Sequence, residues 1–197
     1  LGDVYKRQGV EIDGGGSGES GMFVMHGGTI ASCVAGRMGG GVGNDGVFIM
    51  EDGAIRSCSA IGNDGEEAMG GSIRFSGDMT VSGGTISAPG STGKQHIFGR
   101  GAFTISGNAQ IDVSMTLDGT LYANGGTVSG VVTSKGAITG SEGAAGTTTF
   151  TGAVVNDGTI RGGVFEGEVT NKEDGTIKDG TFKNKMENEG TIEGGTF

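Results

Sequence analysis

The last part of the chain, Gly175–Phe197, reads GTIKDGTFKNKMENEGTIEGGTF, and within it both GTI and TF occur twice. The repetition begins earlier, because Phe150–Asn156, Phe165–Asn171 and Phe182–Asn188 share the form F-x-[GN]-x-[VM]-x-N. Successive copies are 15 or 17 residues apart, and one G-T-I follows each copy. Apolar residues alternate with polar ones inside each copy, and this period of two is typical of a β-strand and not of a helix.

The first half of the chain repeats a related pattern over longer intervals. Phe23–Cys33 matches Phe48–Cys58 at a step of 25 residues, and Met79–Ile86 follows at a step of 31. Phe103–Ile111 is similar but contains one additional residue. Between the two repeat regions, Gln110–Leu121 alternates apolar and polar residues, which predicts one further strand with an apolar face.

Short strands separated by glycine turns at a regular interval predict a solenoid. One coil is too small to bury its own apolar face, so coils stack with their parallel strands about 4.8 Å apart. We therefore predict an all-β fold, a parallel β-helix or β-solenoid with a right-handed, three-faced coil. We expect longer coils with loops over 9–127 and tighter coils over 128–197, whereas 1–8 does not follow the pattern.

In-register stacking places equivalent side chains on top of one another, and it predicts three ladders in the C-terminal third. The aromatic ladder consists of Phe150, Phe165, Phe182 and Phe197. The aliphatic ladder consists of Ile138, Ile160, Ile177 and Ile192. The amide ladder consists of Asn156, Asn171 and Asn188. We interpret all three as structural, with each asparagine side chain hydrogen-bonded to the next along the axis.

The composition argues against several classes of protein. Glycine is frequent, at 46 of 197 residues, but it does not occur at every third position and there is one proline, so the chain is not collagen-like. Regularly placed Val, Ile, Met and Phe argue against disorder. The formal net charge of −10 argues against nucleic acid and anionic membranes as partners. No apolar run is long enough to insert into a bilayer.

Both ends of the sequence suggest a fragment. The first eight residues, Leu1–Gln8, read LGDVYKRQ and resemble a translated sequencing adapter, so we interpret them as foreign to the natural protein. The last residues stop inside a GGTF unit. A solenoid cut through its repeats has unpaired strand edges, and we therefore expect self-association through the exposed ends.

The motifs FVMHGGTI, VFIMEDGAI and FTISGNAQI resemble the repeats of large, surface-displayed β-helix proteins of gut bacteria, which are adhesin-like. The resemblance covers Gly21–Ile111 directly and the C-terminal third more loosely. It implies a secreted or wall-attached protein with an extended adhesive or scaffolding role, whose partner is a host or bacterial glycan or a surface protein. The family supplies no catalytic residues, and a shared fold does not determine activity.

One stretch, Gly40–Phe48, matches the calcium-binding nonapeptide G-G-x-G-x-D-x-U-x at each defined position, with Asp45 as the carboxylate. Calcium in such a roll lies between successive turns, but the next nine residues do not match, and the GNDG at 62–65 lacks the preceding glycine pair. A glycine turn is therefore favoured over a calcium site, and no cofactor is predicted.

The two cysteines, Cys33 and Cys58, occupy the same position in consecutive copies. Direct stacking would place their Cα atoms about 5 Å apart, inside the disulfide range, but in-register side chains point in the same direction. A stacked pair of buried thiols is therefore favoured over a disulfide. Without a CxxC motif or a nearby histidine, the pair does not predict a zinc site.

A column of polar residues on the outer face is the remaining candidate site. The aligned sets are His26, Glu51 and Ser82, and then Ala31, Arg56 and Ser87. β-Helix polysaccharide lyases and hydrolases place several carboxylates, or calcium and a basic residue, on adjacent coils of one face. In this chain Glu51, Asp52 and Arg56 come closest, while neighbouring copies supply glycine and serine. A solvated turn is favoured, and we assign no catalytic residue. His96 stands alone and predicts no site.

Two functions follow from these observations. The first is a non-catalytic structural or adhesive segment of a secreted or cell-surface bacterial protein, which acts as a rod or a ligand-display scaffold. The alternative is a fragment of a β-helix polysaccharide lyase or hydrolase with a pectate-lyase-like fold. An enzyme of that kind needs aromatic platforms for sugars, but the chain has no Trp, and its tyrosines are Tyr5 and Tyr122. This composition favours the first function.

Overall fold

The computed structural model describes residues 8–16, 19–62, 68–89, 96–140 and 146–197. Within these residues the chain forms β-strands and turns and contains no helix. All strands pair in parallel with the equivalent strands of the coils before and after them. The predicted all-β class is confirmed, and the stacked parallel arrangement is compatible with a β-solenoid.

Nine coils follow one another along the chain, since one sheet takes a single strand from each coil and has nine strands. The first three coils contain β1 (Val10–Ile12), β2 (Met22–Met25), β3 (Thr29–Ala31), β4 (Val34–Ala35), β5 (Val42–Asn44), β6 (Val47–Met50), β7 (Ala54–Arg56), β8 (Ser59–Ala60), β9 (Ile73–Phe75), β10 (Asp78–Val81) and β11 (Thr85–Ser87). The next three contain β12 (Ile97–Gly99), β13 (Ala102–Asp112), β14 (Met115–Leu117), β15 (Thr120–Val128), β16 (Val132–Ser134), β17 (Ala137–Thr139) and β18 (Thr149–Phe150). The last three contain β19 (Val154–Asn156), β20 (Thr159–Phe165), β21 (Val169–Asn171), β22 (Thr176–Phe182), β23 (Met186–Asn188) and β24 (Thr191–Ile192).

The strands form three sheets. The nine-stranded sheet, which we call face 1, has the order β1-β5-β9-β12-β14-β16-β19-β21-β23. A 13-stranded sheet has the main order β2-β6-β10-β13-β15-β17-β20-β22-β24, and it also includes β3, β7, β11 and β18. The strands β4 and β8 form a small separate sheet. Long strands such as β13 and β20 pair over their first part with one strand of a neighbouring coil and over their last part with another.

The coils become shorter along the chain. On face 1, Val10 pairs with Val42, a step of 32 residues, whereas Val154 pairs with Val169, a step of 15. The additional residues of the N-terminal coils form loops and the small sheet of β4 and β8. The turns of the C-terminal coils are short, so these coils consist almost entirely of strand and turn.

The interior is filled by columns of apolar side chains from successive coils. Phe150, Phe165, Phe182 and Phe197 are stacked nearly parallel, with ring centroids 4.9, 4.8 and 5.1 Å apart. Ile138, Ile160, Ile177 and Ile192 are paired in register in the adjacent column. The centroid spacing equals the spacing of hydrogen-bonded strands, which is about 4.8 Å, so ring contact and backbone pairing are satisfied together.

One inward column combines a large side chain with a glycine. Phe75 and Gly99 are paired in register on face 1, and the ring of Phe75 occupies the space that a Cβ atom on Gly99 would need. Since interiors pack to high density, a side chain at position 99 would force this ring to move.

The region Gln110–Leu121 differs from its sequence-based prediction. The single strand is wrong, because β13 ends at Asp112, β14 covers Met115–Leu117 and β15 begins at Thr120. The apolar alternation continues through two corners, so Val113 is buried although it lies between strands. Periodicity alone therefore did not reveal where the chain changes face.

We predict that Phe165→Ala lowers the free energy of unfolding by about 3–5 kcal/mol, because a ring buried between two others is lost and a cavity is left. Phe165 has no exposed surface, whereas Phe197, in the same column, is 66% exposed. Phe197→Ala is therefore the matched control, and we expect it to cost much less. Urea unfolding followed by circular dichroism measures both, and equal losses would contradict the ladder as a source of stability.

Candidate functional site

The three asparagines of the amide ladder lie at in-register positions at the ends of β19, β21 and β23. Asn156 Nδ2 donates to Asn171 Oδ1 at 2.7 Å, and Asn171 Nδ2 donates to Asn188 Oδ1 at 2.7 Å. The same amides close the following turns, since Asn156 Nδ2 also donates to Gly158 O at 3.1 Å and Asn188 Nδ2 to Gly190 O at 3.0 Å. Asn156 and Asn171 are fully buried. The column joins coils and holds turns, which are structural roles.

We predict that Asn171→Ala destabilises the protein by about 3 kcal/mol, because it leaves a buried donor of Asn156 and an acceptor of Asn188 without their partner. Thr170→Ala is the control, since Thr170 is the adjacent residue of the same strand and is half-buried. Thermal unfolding of the two variants tests the prediction. A loss for Asn171→Ala no larger than that for Thr170→Ala would contradict a stabilising ladder.

The two cysteines lie on adjacent coils, just beyond the paired strands β3 and β7. Both are free thiols, and Cys58 is buried while Cys33 is half-buried. Cys33 Sγ donates to Ala31 O and Cys58 Sγ to Arg56 O, each at 3.4 Å. Burial raises the pKa of Cys58 to about 11, and Cys33 also contributes. Cys58 is therefore protonated at neutral pH and is a poor nucleophile.

The polar column of the sequence analysis lies on the exposed surface. His26 Nδ1 and Glu51 Oε2 are 2.6 Å apart, and these side chains are 75% and 53% exposed. Asp52 Oδ1 accepts a hydrogen bond from Gly53 N at 2.7 Å, within its own turn. Arg56 is exposed in β7 and pairs in register with Ala31 and Ser87. The structure brings His26 and Glu51 together, but an exposed pair of this kind contributes little energy and is solvated.

The calcium candidate, Asp45, lies in the turn between β5 and β6. Its Oδ1 accepts hydrogen bonds from Arg74 Nη1 and from Ser76 Oγ. A cation at this oxygen would lie beside the Arg74 guanidinium, which disfavours its binding. Over the part of the chain that the structure describes, no three His, Cys, Asp or Glu side chains are grouped so that they could hold a metal ion. The other GNDG motif lies largely outside the described residues.

A surface cleft that the sequence analysis missed lies beside Asp45 and has a volume of about 380 Å³. We call it the N-terminal cleft, and its lining residues are Gln8, Glu11, Ala35, Gly36, Arg37, Met38, Gly43, Asp45 and Arg74. Its floor is an outward column of face 1, in which Glu11 pairs with Gly43 and Gly43 with Arg74. One wall is the 36–38 segment, which follows β4.

The cleft could have been found from the sequence by aligning VGNDGVFIM with IRFSGDMTV. That alignment places Gly43 opposite Arg74, two strands of face 1 in adjacent coils. The wall formed by 36–38 had no such signal, because a loop between strands follows no period.

Three buried polar atoms have no hydrogen-bond partner among the described residues. They are Ser72 Oγ, His96 Nδ1 and Ser134 Oγ. His96 precedes β12, and its carbonyl accepts hydrogen bonds from Ser72 N at 2.8 Å and Ile73 N at 2.9 Å. Burial lowers the pKa of His96 below its usual 6.5, so this imidazole remains neutral at neutral pH.

We predict that His96 makes the protein less stable as the pH falls. Because the folded-state pKa is lowered, the unfolded chain binds a proton first when the pH falls below 6.5. The wild type should therefore lose more stability between about pH 6.5 and pH 5 than His96→Leu does. The exposed His26→Leu is the control and should retain the wild-type slope. Parallel curves of unfolding free energy against pH for wild type and His96→Leu would contradict the prediction.

Comparison with known proteins finds no matching family model, no similar curated protein and no similar solved structure. In the described part of the chain, no helix has the length and hydropathy that crossing a bilayer requires. The functional argument therefore rests on the ladders, the outer faces and the N-terminal cleft.

Proposed function

We propose that this chain is a non-catalytic structural or adhesive segment of a secreted or cell-surface bacterial protein, acting as an extended rod that displays ligand-binding surface. The observation that carries the proposal is the in-register stacking of nine coils on face 1. At about 4.8 Å per coil, this stacking gives a rod about 40 Å long. Each added coil extends the rod without requiring a new core.

The charged surface of the last coils supports a rod. Its lysine–glutamate pairs join different coils, and they are Lys172–Glu189, Lys178–Glu193 and Lys183–Glu166, with N–O distances of 3.2 to 3.4 Å. Exposed pairs of this kind add little stability. They present alternating charges along the rod, which keeps such a surface soluble and opposes random association.

The finer architecture is part of the proposal. We assign three faces to each coil, because β13, β15, β20 and β22 each pair over two separate parts and β1-type strands form a further sheet. We assign a right-handed winding, because crossover connections between parallel strands of one sheet are right-handed in nearly all proteins. A crystal structure with a left-handed coil would contradict this assignment.

The location and the partner follow from the resemblance of the repeats to those of surface-displayed β-helix proteins of gut bacteria. An adhesive rod at the cell surface would meet host or bacterial glycans and other surface proteins. The net charge of −10 favours neutral over strongly acidic partners.

A second candidate function, a polysaccharide lyase or hydrolase, is favoured by one observation. The N-terminal cleft brings two carboxylates, Glu11 and Asp45, together with Arg37 and Arg74. Paired carboxylates are the usual machinery of glycoside hydrolysis. However, Asp45 already accepts hydrogen bonds from Arg74 and Ser76, so it is held in an ion pair and is not placed as a proton acceptor.

The test is to incubate the purified chain, with and without calcium, with pectins, other uronates, neutral polysaccharides and mucin. We expect binding to mucin or to a polysaccharide without product formation. New reducing ends, or unsaturated product absorbing in the ultraviolet, would contradict the rod if Glu11→Gln, Asp45→Asn, Glu51→Gln or Asp52→Asn abolished them. Failure to bind any of these surfaces would contradict the adhesive part of the proposal.

A further inference from the structure

We propose that the N-terminal cleft binds a neutral saccharide unit through pairs of adjacent hydroxyl groups. The inference deepens the proposed function and rests on it, since it assumes display of a ligand site without turnover. It is carried by the floor of the cleft, by the alternation of donors and acceptors around it, and by its charge balance.

The floor is open because position 43 is a glycine. Glu11, Gly43 and Arg74 occupy one outward column of three adjacent strands, so a side chain at the middle position would fill the centre. A Cβ atom there would lie 2.8 Å from Glu11 Oε2, and its nearest neighbours would be the ends of the Glu11 and Gln8 side chains. The glycine therefore leaves a depression between a carboxylate and a guanidinium.

The polar groups around the depression alternate in hydrogen-bonding character. Arg37 and Arg74 carry only donors, whereas Glu11 and Asp45 carry only acceptors when ionised. A sugar hydroxyl is one donor and two acceptors, so adjacent hydroxyl groups match a site that offers both kinds of group at short range. Glu11 makes no hydrogen bond or ion pair among the described residues, so its oxygens are available to a ligand.

The charge balance selects a neutral ligand. The two arginines and two carboxylates of the cleft cancel, so the site provides no net field for an anion. The whole chain carries −10, which repels uronates and other acidic sugars. A zwitterion such as an amino acid would need one carboxylate and one guanidinium free of each other, but Arg74 and Asp45 are already paired.

The size of the cleft sets the length of the ligand. Its volume of about 380 Å³ is near the lower end of the usual range for ligand sites, roughly 300–1,000 Å³. It fits a mono- or disaccharide. Met38 and Ala35 supply the apolar part of the lining, and no aromatic residue is among the lining residues. Without an aromatic platform we expect weak binding, with a Kd on the order of 1 mM.

The experiment is a titration of the isotopically labelled chain, observed as backbone amide shifts by NMR. The neutral probes are the methyl glycosides of glucose, galactose and mannose, together with lactose and cellobiose. The counter-probes are galacturonate and serine. We expect at least one neutral probe to shift amides of β1, β5 and β9, with saturation below about 50 mM.

Two variants test the geometry. Gly43→Thr fills the floor at a strand position where only flexible side-chain ends must move, so it should fold and lose binding. Glu11→Gln keeps the shape, removes the charge and should weaken binding about tenfold. Glu187→Gln is the matched control, because Glu187 is the outward central residue of β23, the last strand of face 1, and should bind like the wild type.

Each outcome decides for or against the saccharide site. Saturable shifts that Gly43→Thr abolishes support it. No shift with any neutral probe, stronger binding of galacturonate or serine, or binding that persists in Gly43→Thr would overturn it. Adhesion of wild type and Gly43→Thr to mucin is measured in parallel. Equal adhesion would leave the proposed rod intact while overturning the cleft as its ligand site, so the two failures are distinguishable.

Discussion

Backbone hydrogen bonding between successive coils is the constraint on which the structure depends. On face 1, Val10 N donates to Gly41 O at 2.9 Å, and Asp45 N donates to Ile12 O at 2.9 Å. This bonding fixes the register, and the register fixes which side chains lie above one another. Every inward column must then hold groups that tolerate contact about 4.8 Å from their own equivalents, as phenyl rings, branched aliphatic chains and primary amides do.

Coil length decides what the outside of the molecule can do. The 15-residue coil between Val154 and Val169 has no residues to spare for loops, so its surface is that of the strands themselves. The 32-residue coil between Val10 and Val42 has enough chain to raise the 36–38 segment beside face 1. A recessed site therefore occurs among the long coils, while the short coils provide reach. The two properties that an adhesive rod needs are separated along one chain.

The sequence predicts the ladders well because register and repetition are the same information. The spacing of Phe150, Phe165 and Phe182 already contains the pairing that the structure has. The N-terminal cleft could not be predicted in the same way, because it combines a column of strand positions with a loop. The strand change inside Gln110–Leu121 was also missed, since a corner can preserve the alternation of buried and exposed residues. Unequal coil lengths hide such features from any search for a fixed period.

The amide ladder has one further property, which is direction. Asn156 donates to Asn171 and Asn171 donates to Asn188, so each side-chain dipole points the same way along the axis. Sheets of paired strands have only a small net dipole, but this column of side chains is aligned throughout. A coil stacked in the opposite sense would bring like groups of two amides face to face. The ladder therefore distinguishes the two directions along the rod, which shape alone would leave nearly equivalent.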